Sequence, residues 1–266
     1  MKILLAVMTC HARRAWVQAQ RETWVPALRA QGIDVRFFYG APPSGPQFGV
    51  MQDEEWLHDV RDDYLGIPLK VQRICAYAVL HEYDYVAKLD DDVYVVPDRF
   101  RNLKFVGYDY VGRFRGPYGK VYPAHFASGF FYWLSYRAAA WVAGTHWNRD
   151  WMDERFVANT LAMWNVFGYN DPANYLVTGP FTSPNVIIDR ALLRDGAVFC
   201  EYGPKELYEM HAVFSKCRPI VTPHPGLKEV PKAKVTEEIL YAPCGDQPPE
   251  RKVSNLRWKE RLQLLH

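Results

Sequence analysis

Three consecutive carboxylates stand in the middle of the chain, between two apolar runs. Asp90, Asp91 and Asp92 follow an apolar and aromatic run that begins at Tyr83, and a second apolar run, 93–96, comes directly after them. This pattern predicts a strand, an acidic turn and a second strand. Because adjacent like charges repel, a fold that places them at the end of a buried strand normally supplies a cation there. Carboxylate oxygens suit Mg²⁺ or Mn²⁺, and such an ion can hold the diphosphate of a nucleotide.

A capping or solvated acidic turn is the simpler interpretation of three aspartates, since Asp is common in both settings. The flanking residues favour the ion, because a merely solvated acidic run lies more often among other polar residues.

The elements ahead of the triad alternate between strand and helix patterns. We predict strands at 3–8 and 33–39 and helices at 12–31, with a bend at Pro26, and at 64–81. The β-α-β-α-β order predicts an α/β fold, with a Rossmann-like, mostly parallel central sheet and helices on both faces. Ligands of such sheets bind beyond the carboxyl ends of the strands, where Thr9 and the triad both fall.

Beyond Pro97 the pattern changes. A strand-like run at 105–112 is followed by a basic and aromatic loop at 113–120, and 122–135 is predicted as a loop that enters a strand. Helices are predicted at 136–143 and 151–166. Asp153 and Glu154 open the last of these helices. Acidic residues there either complement the helix dipole or serve chemistry.

Composition narrows the class of protein. The 266 residues are 49% apolar and 23% charged with a net charge of +2, which is ordinary globular composition and argues against a binder that depends on a large basic field. Aromatic residues make up 15% of the chain. Their rings either fill the core or stack on sugars and bases, which mildly favours a carbohydrate or nucleotide ligand.

The five cysteines and the first residues bear on location. The cysteines show no CxxC spacing, which argues against a zinc site and a disulfide framework and fits a reducing cytosol. The opening apolar run is too short to span a bilayer and lacks a cleavage site. We therefore expect a cytoplasmic protein of bacterial, phage or viral origin without stable membrane association, unless an anchor has been removed from a catalytic domain.

Four blocks of sequence occur in a fixed order over about residues 1 to 160. They are the opening strand followed by Thr9, His11, Arg13 or Arg14 and Arg21-Glu22-Thr23-Trp24, the triad strand 85–95, the segment from Tyr122-Pro123 through Ser128-Gly129 to Leu134-Ser135, and Asp153-Glu154 with Val157-Ala158. In order and spacing these blocks resemble the β-1,3-glycosyltransferases of the Fringe and β-1,3-galactosyltransferase kind.

The resemblance implies a GT-A type fold, a manganese-dependent UDP-sugar donor and inversion at the anomeric carbon. It implies one catalytic domain over 1–245, in which 1–96 binds the nucleotide sugar and 97–245 binds the acceptor. Residues 246–266 would form a linker and a terminal helix.

On the donor side, the resemblance implies that Asp92 is the principal metal ligand, that Asp91 contacts the donor sugar or ribose, and that Asp90 supports both. The family also supplies a histidine to the metal. The remaining donor-side candidates are Thr9, with Arg13, Arg14 or Arg21 for the uridine or diphosphate, and His224 or, as second choice, His211 for the metal.

On the acceptor side, the resemblance places Ser128 and Gly129 in the acceptor site and makes Asp153 or Glu154 the catalytic base. The family usually has Asp where Glu154 stands, so the choice between the two stays open.

The implied reaction is transfer of a sugar to a hydroxyl acceptor, which is a glycan, a protein-linked sugar or a hydroxylated DNA base. Arg113, Arg115, Lys120 and the stretch 228–234 would meet DNA phosphates, although a solvated basic face is the commoner explanation of such residues. A non-catalytic sugar- or nucleotide-binding module with the same fold is the alternative.

Overall fold

The computed structural model describes residues 1–42, 50–100, 103–115, 126–146, 152–170, 175–176 and 196–215. The predicted metal ligand His224, most of the basic loop, the Tyr122-Pro123 pair and the predicted linker and helix at 246–266 lie outside these ranges. The proposed division at residues 96 and 245 therefore stays a prediction.

Strands and short helices alternate along the first hundred residues. The strands are β1 (Ile3–Met8), β2 (Asp34–Tyr39), β3 (Glu54–Trp56), β4 (Tyr85–Asp90), β5 (Tyr94–Val95), β6 (Tyr110–Arg115), β7 (Phe126–Ser135), β8 (Tyr169–Asn170), β9 (Tyr175–Leu176) and β10 (Val198–Phe199). The α-helices are α1 (Arg14–Glu22), α2 (Val25–Ala30), α3 (Ile67–Leu80), α4 (Pro97–Phe100), α5 (Tyr136–Gly144), α6 (Asp153–Met163) and α7 (Pro204–Phe214), and single 3₁₀ turns precede α1 and α3.

Within the described ranges, seven strands form the main sheet in the order β3-β2-β1-β4-β7-β6-β8. The four strands from β3 to β4 run parallel, and β7 is antiparallel to both β4 and β6. A smaller sheet has the order β5-β10-β9. The predicted α/β class with a mostly parallel central sheet is confirmed, and the arrangement is consistent with the GT-A type.

Alternate side chains of β1 enter two different cores. Leu5 and Val7 pack with residues of α1, α2 and α7 on one face, whereas Leu4 and Ala6 pack with residues of α3, α5 and α6 on the other. A strand covered on both faces reads as a continuous apolar run, which is why the sequence predicts β1 well. Helices therefore cover both faces of the sheet, as predicted.

The register of the two central strands positions the acidic triad. Met8 lies opposite Asp90 in the parallel pair of β1 and β4. The backbone NH of Thr9 then donates to the carbonyl of Phe38 at the end of β2. Thr9 and the triad are thus neighbours at the carboxyl edge of the sheet.

Three local predictions need correction. The helix predicted at 12–31 is two helices, and the chain breaks at Thr23, where ψ is −94°, so that Pro26 lies in the first turn of α2 rather than at a bend. The strand predicted at 105–112 is β6, which starts five residues later. The helix predicted at 151–166 is α6, which is shorter at both ends.

The described part of the chain contains no helix with the length and apolar character needed to cross a bilayer.

Shortening Leu5 tests the core around β1. The Leu5 side chain is fully buried, so Leu5→Ala should lower the free energy of unfolding by about 2–5 kcal/mol through lost burial and a residual cavity. Leu65→Ala is the matched control, because Leu65 is 54% exposed and its truncation should change stability by less than about 0.5 kcal/mol. Urea denaturation measures both, and equal losses would contradict the assigned core.

Candidate active site

Asp91 is the buried member of the triad. The Thr9 hydroxyl donates to Asp91 Oδ2 over 2.6 Å, and Arg13 Nε lies 3.0 Å from Asp91 Oδ1. Burial raises the pKa of Asp91 to about 7, although Arg13 and Thr9 oppose the shift by stabilising the ionised form. Asp91 therefore faces the interior and fixes the end of β4 against the loop that follows β1.

Asp92 faces outward at the same turn. Its side chain is 26% exposed, and Arg13 Nη2 lies 3.6 Å from Asp92 Oδ2. The turn itself is held by Gln20, whose side-chain amide donates to the carbonyls of Asp91 and Val93 over 2.8 and 3.1 Å. A carboxylate on a fixed turn with an accessible oxygen suits a hard cation.

Lys88 lies beneath the triad in β4, with a side chain that is only 2% exposed. Its Nζ donates to Asp90 Oδ1 over 2.7 Å and to the carbonyl of Gly129, and it lies 3.1 Å from Asp153 Oδ2. One ammonium group thus joins the triad to the acidic pair of α6. Burial raises the pKa of Asp90 to about 6 despite this cation.

The two acids of α6 have different surroundings. Asp153 is buried and accepts a hydrogen bond of 3.1 Å from the Tyr132 hydroxyl. Burial would raise the pKa of Asp153, but Lys88 and the hydrogen bonds from Glu154 and Tyr132 hold it below its usual range. The pKa of Glu154 is instead raised to about 8, first by burial and then by the charge of Asp153.

Gly129 of β7 adjoins the acidic pair, and Ser128 precedes it in the same strand. A Cβ at Gly129 would lie 3.1 Å from Glu154 Oε2, so the missing side chain leaves room for that carboxylate. The Ser128 hydroxyl is buried and has no hydrogen-bond partner among the described residues. The structure thus places Gly129 beside the acidic pair.

Of the three predicted arginines, Arg13 is the one that the structure pairs with the triad. Arg21 Nη2 instead lies 2.7 Å from Asp53 Oδ1 and 3.0 Å from Glu54 Oε1. Arg14 Nη1 lies 3.4 Å from the same Glu54 oxygen. Arg14 and Arg21 therefore share the carboxylate of Glu54, at the start of β3.

An aromatic group lies beside these arginines at the carboxyl edge. The His11 ring stacks on Tyr39 and meets Trp56 edge-on, each with a centroid separation of 4.9 Å. The Arg14 guanidinium lies over the rings of Tyr39 and Trp56, at 5.0 and 5.8 Å. Such rings offer stacking surfaces to a base.

A second buried lysine organises the loop that carries His11. Lys70 Nζ donates to the carbonyl of Thr9 over 2.6 Å and to Asp62 Oδ1 over 3.0 Å. Asp62 also accepts from the backbone NH groups of His11 and Gly40, over 2.5 and 2.6 Å. A Cβ at Gly40 would lie 2.6 Å from the Asp62 backbone, so glycine is required for this close approach.

Of the two histidines predicted as metal ligands, the described residues include the second choice, His211, and not the first, His224. His211 lies on α7, and its Nδ1 is 3.1 Å from the Tyr94 hydroxyl. Within the described ranges, no group of three or more His, Cys, Asp or Glu side chains is placed to hold a metal ion. The triad therefore offers donors of the right class but only part of a coordination shell, and His224 lies outside the described residues.

Several site residues were not predicted from the sequence. Lys88 was visible as a lone cation in an apolar strand, a signal that a buried charge needs partners. Tyr132, Lys70 and Asp62 gave no comparable signal, because their partners lie 8 to 61 residues away along the chain.

Comparisons with known proteins give partial matches. No protein-family model matches the chain. A "Probable beta-1,3-galactosyltransferase 12" of Arabidopsis thaliana is 33% identical over 100 residues, which cover 32% of this chain. The chain spans only 27% of the length of that plant relative.

One similar solved structure is a glycosyltransferase involved in the glycosylation of the major capsid of PBCV-1. It is 11% identical, has a TM-score of 0.47, and the match covers 80% of this chain and 100% of that chain. A structural similarity with this identity and TM-score says nothing about the activity of this chain.

Replacing Thr9 tests the contact that holds Asp91. Since Thr9 stabilises the ionised form, Thr9→Val should raise the pKa of Asp91 above about 7. Because the folded pKa of Asp91 lies above its unfolded value, ionisation of this carboxyl destabilises the folded protein as the pH rises through the folded pKa. The variant lacks the hydrogen bond that offsets this cost, so its free energy of unfolding should be about 1.5–3 kcal/mol below that of the wild type at pH 8, with a smaller difference at pH 5. Urea denaturation at both pH values measures this.

Thr9→Ser is the control for that experiment, because it keeps the hydroxyl and should follow the wild type at both pH values. An equal loss for Thr9→Val at pH 5 and pH 8 would contradict the assigned hydrogen bond to ionised Asp91.

Proposed function

We propose that the chain is a metal-dependent, inverting glycosyltransferase that moves a sugar from a UDP-sugar to a hydroxyl acceptor. The observation that carries this proposal is the juxtaposition of an acidic triad at the carboxyl edge of the sheet with a carboxyl group of raised pKa, that of Glu154. The partial similarity to a plant protein named as a β-1,3-galactosyltransferase supports it.

The donor would bind at the end of β1 and β4. Asp92 would hold Mn²⁺ or Mg²⁺, with His224 or His211 as a further ligand, and the bound ion would neutralise charge on the leaving diphosphate. Arg13 already faces this turn, with its guanidinium over the Trp16 ring at 4.6 Å. A guanidinium in this place can make two hydrogen bonds to a phosphate group.

The acceptor would bind on the side of α6 and β7. Asp153 is enclosed and neutralised by Lys88, whereas Glu154 is only partly buried and has a pKa of about 8. We therefore assign the base to Glu154. A base whose pKa lies near the working pH combines availability with proton affinity.

The proposed reaction is a single displacement. The acceptor oxygen forms a bond to the anomeric carbon while the bond from that carbon to the diphosphate oxygen breaks and its electron pair leaves with UDP. Glu154 takes the proton of the acceptor hydroxyl. Attack from the face opposite the leaving group inverts the configuration.

The acceptor class follows from what the pocket admits, and glycan, protein-linked sugar and hydroxylated DNA base all stay within the proposal. The alternative, a non-catalytic binding module, does not require a carboxyl group whose pKa is raised to about 8, whereas a general base does. We propose a cytoplasmic site of action on the cysteine pattern alone.

Replacing Glu154 tests the base assignment. Glu154→Gln should reduce sugar transfer by at least about 100-fold while UDP affinity stays the same, because general-base catalysis contributes a factor of this size. Wild-type kcat should rise with pH and level off above about 8, since the base acts only when ionised. UDP release from a panel of UDP-sugars with Mn²⁺, with oligosaccharides and DNA as acceptors, measures both.

Asp153→Asn is the matched control, and it should keep measurable transfer. Full activity in Glu154→Gln, or a larger loss in Asp153→Asn than in Glu154→Gln, would remove Glu154 as the base.

Replacing Asp92 tests the metal site. Asp92→Ala should weaken Mn²⁺-dependent UDP binding by at least about 10-fold and leave metal-independent binding unchanged, because one carboxylate ligand is lost. Isothermal titration calorimetry of UDP with Mn²⁺ and with EDTA measures this. Asp98→Ala is the control at a nearby carboxylate outside the triad, and undiminished affinity in Asp92→Ala would refute the ligand role.

A further inference from the structure

We propose that Lys88 is a positioning residue that keeps the charge of the acidic pair on Asp153, so that Glu154 is the member that takes the acceptor proton. The inference rests on the proposed function, and it concerns a residue to which neither the triad motif nor the acidic pair assigns a role.

Three contacts of Lys88 Nζ support this proposal. Its Nζ lies 3.1 Å from Asp153 Oδ2, while its other partners are Asp90 Oδ1 at 2.7 Å and the carbonyl of Gly129. The three donors of the ammonium are therefore matched by three acceptors, two of them charged. An ammonium held in this way cannot turn towards a different partner without leaving a buried charge unpaired.

The cation breaks the symmetry of the two carboxyl groups. Asp153 receives both the Lys88 contact and the Tyr132 hydroxyl, and these stabilise its ionised form. The ionised Asp153 then accepts a hydrogen bond from Glu154. A shared proton consequently resides on Glu154, the member that is less buried and lies beside Gly129.

The charged and titratable groups that face the acidic pair come from three strands. Lys88 and Asp90 lie on β4, Tyr132 lies on β7, and Tyr110 lies on β6. Lys88 is the cation of this set. Its removal should make the doubly ionised pair harder to form, because a nearby cation favours the charged form of each acid.

The same lysine also joins the two proposed halves of the site. Asp90 belongs to the donor-side turn, whereas Asp153 belongs to the acceptor-side helix. Because both carboxylates contact one Nζ atom, their separation is fixed by two short contacts. Lys88 thus sets the position of the base relative to the donor.

The test is a titration of the Glu154 carboxyl group in the ligand-free protein, followed by NMR of ¹³C-labelled glutamate and assigned by its absence in Glu154→Gln. The wild-type resonance should titrate near pH 8. Lys88→Met should move the titration up by about one pH unit or more, and Asp153→Asn should move it down by a similar amount. The opposite signs distinguish removal of a cation from removal of an anion.

Lys70→Met is the matched control, because Lys70 is equally buried but pairs with Asp62 instead of the acidic pair. It should leave the Glu154 titration unmoved. A merely structural role for Lys88 predicts a less stable Lys88→Met protein whose folded fraction still titrates near pH 8, and that outcome would overturn the inference.

Lys88→Met leaves buried carboxylates without their cation, so a double variant protects the test from a folding failure. Lys88→Met combined with Asp153→Asn removes both charges of the Lys88–Asp153 ion pair. The Glu154 carboxyl of this double variant should titrate at a higher pH than that of Asp153→Asn alone. Equal values in those two proteins would overturn the inference.

The titration needs no sugar donor, so it tests the role of Lys88 independently of the proposed transferase activity. Absence of UDP release from the wild type with every UDP-sugar would refute the proposed transferase and leave the charge arrangement standing. Transfer by the wild type, with a Lys88→Met titration that stays near pH 8, would refute the role of Lys88 alone.

Discussion

The arrangement of this site depends on one buried ammonium group. The buried Asp153 carboxylate, lying near the partly exposed Asp90 carboxylate, would normally be costly to ionise and would take up a proton instead. Lys88 lies between Asp90 and Asp153 and lets charge persist there. Without that cation, an ionised Asp90 at the end of β4 and an ionised Asp153 at the start of α6 would repel each other.

The fold makes this contact by combining two kinds of strand pairing. The parallel pair of β1 and β4 brings Thr9 to the triad, as in other α/β sheets with ligand sites at the carboxyl edge. The antiparallel pair of β4 and β7 brings Lys88 opposite Tyr132, and the β7 backbone carries Gly129 to the same ammonium. One strand therefore serves both sides of the site.

Much of the fold was predictable because the central strands carry their signal locally. The continuous apolar run of β1 and the apolar run before the triad identify two buried parallel strands, and their order identifies the sheet class. The short strand β3 was not predicted, since three residues with two glutamates do not resemble a strand. Its place beside β2 is set by pairing, and Glu54 is buried because Arg14 and Arg21 neutralise it.

The candidate site was less predictable than the fold, because its contacts, like those of β3, are made between residues far apart in the sequence. The residue types of the triad and of the acidic pair suggest chemistry, but sequence spacing does not reveal which arginine reaches the triad or which acid is neutralised. Arg13 and Arg14 are neighbours in the chain, yet the structure pairs one with Asp91 and the other with Glu54. The proposed choice of Glu154 over Asp153, left open by the sequence, rests on contacts of Asp153 with Lys88 and Tyr132 that only the tertiary structure supplies.

We propose that the carboxyl edge of β1 and β4 holds a sugar nucleotide through a divalent ion at Asp92. A crystal structure of the protein soaked with Mn²⁺ and UDP tests it most directly. The account predicts an ion about 2.0–2.2 Å from an Asp92 oxygen, a diphosphate bound to that ion, and Arg13 within hydrogen-bond distance of a phosphate oxygen. An empty edge with the Asp92 carboxylate facing bulk water, or UDP bound elsewhere on the molecule, would contradict it.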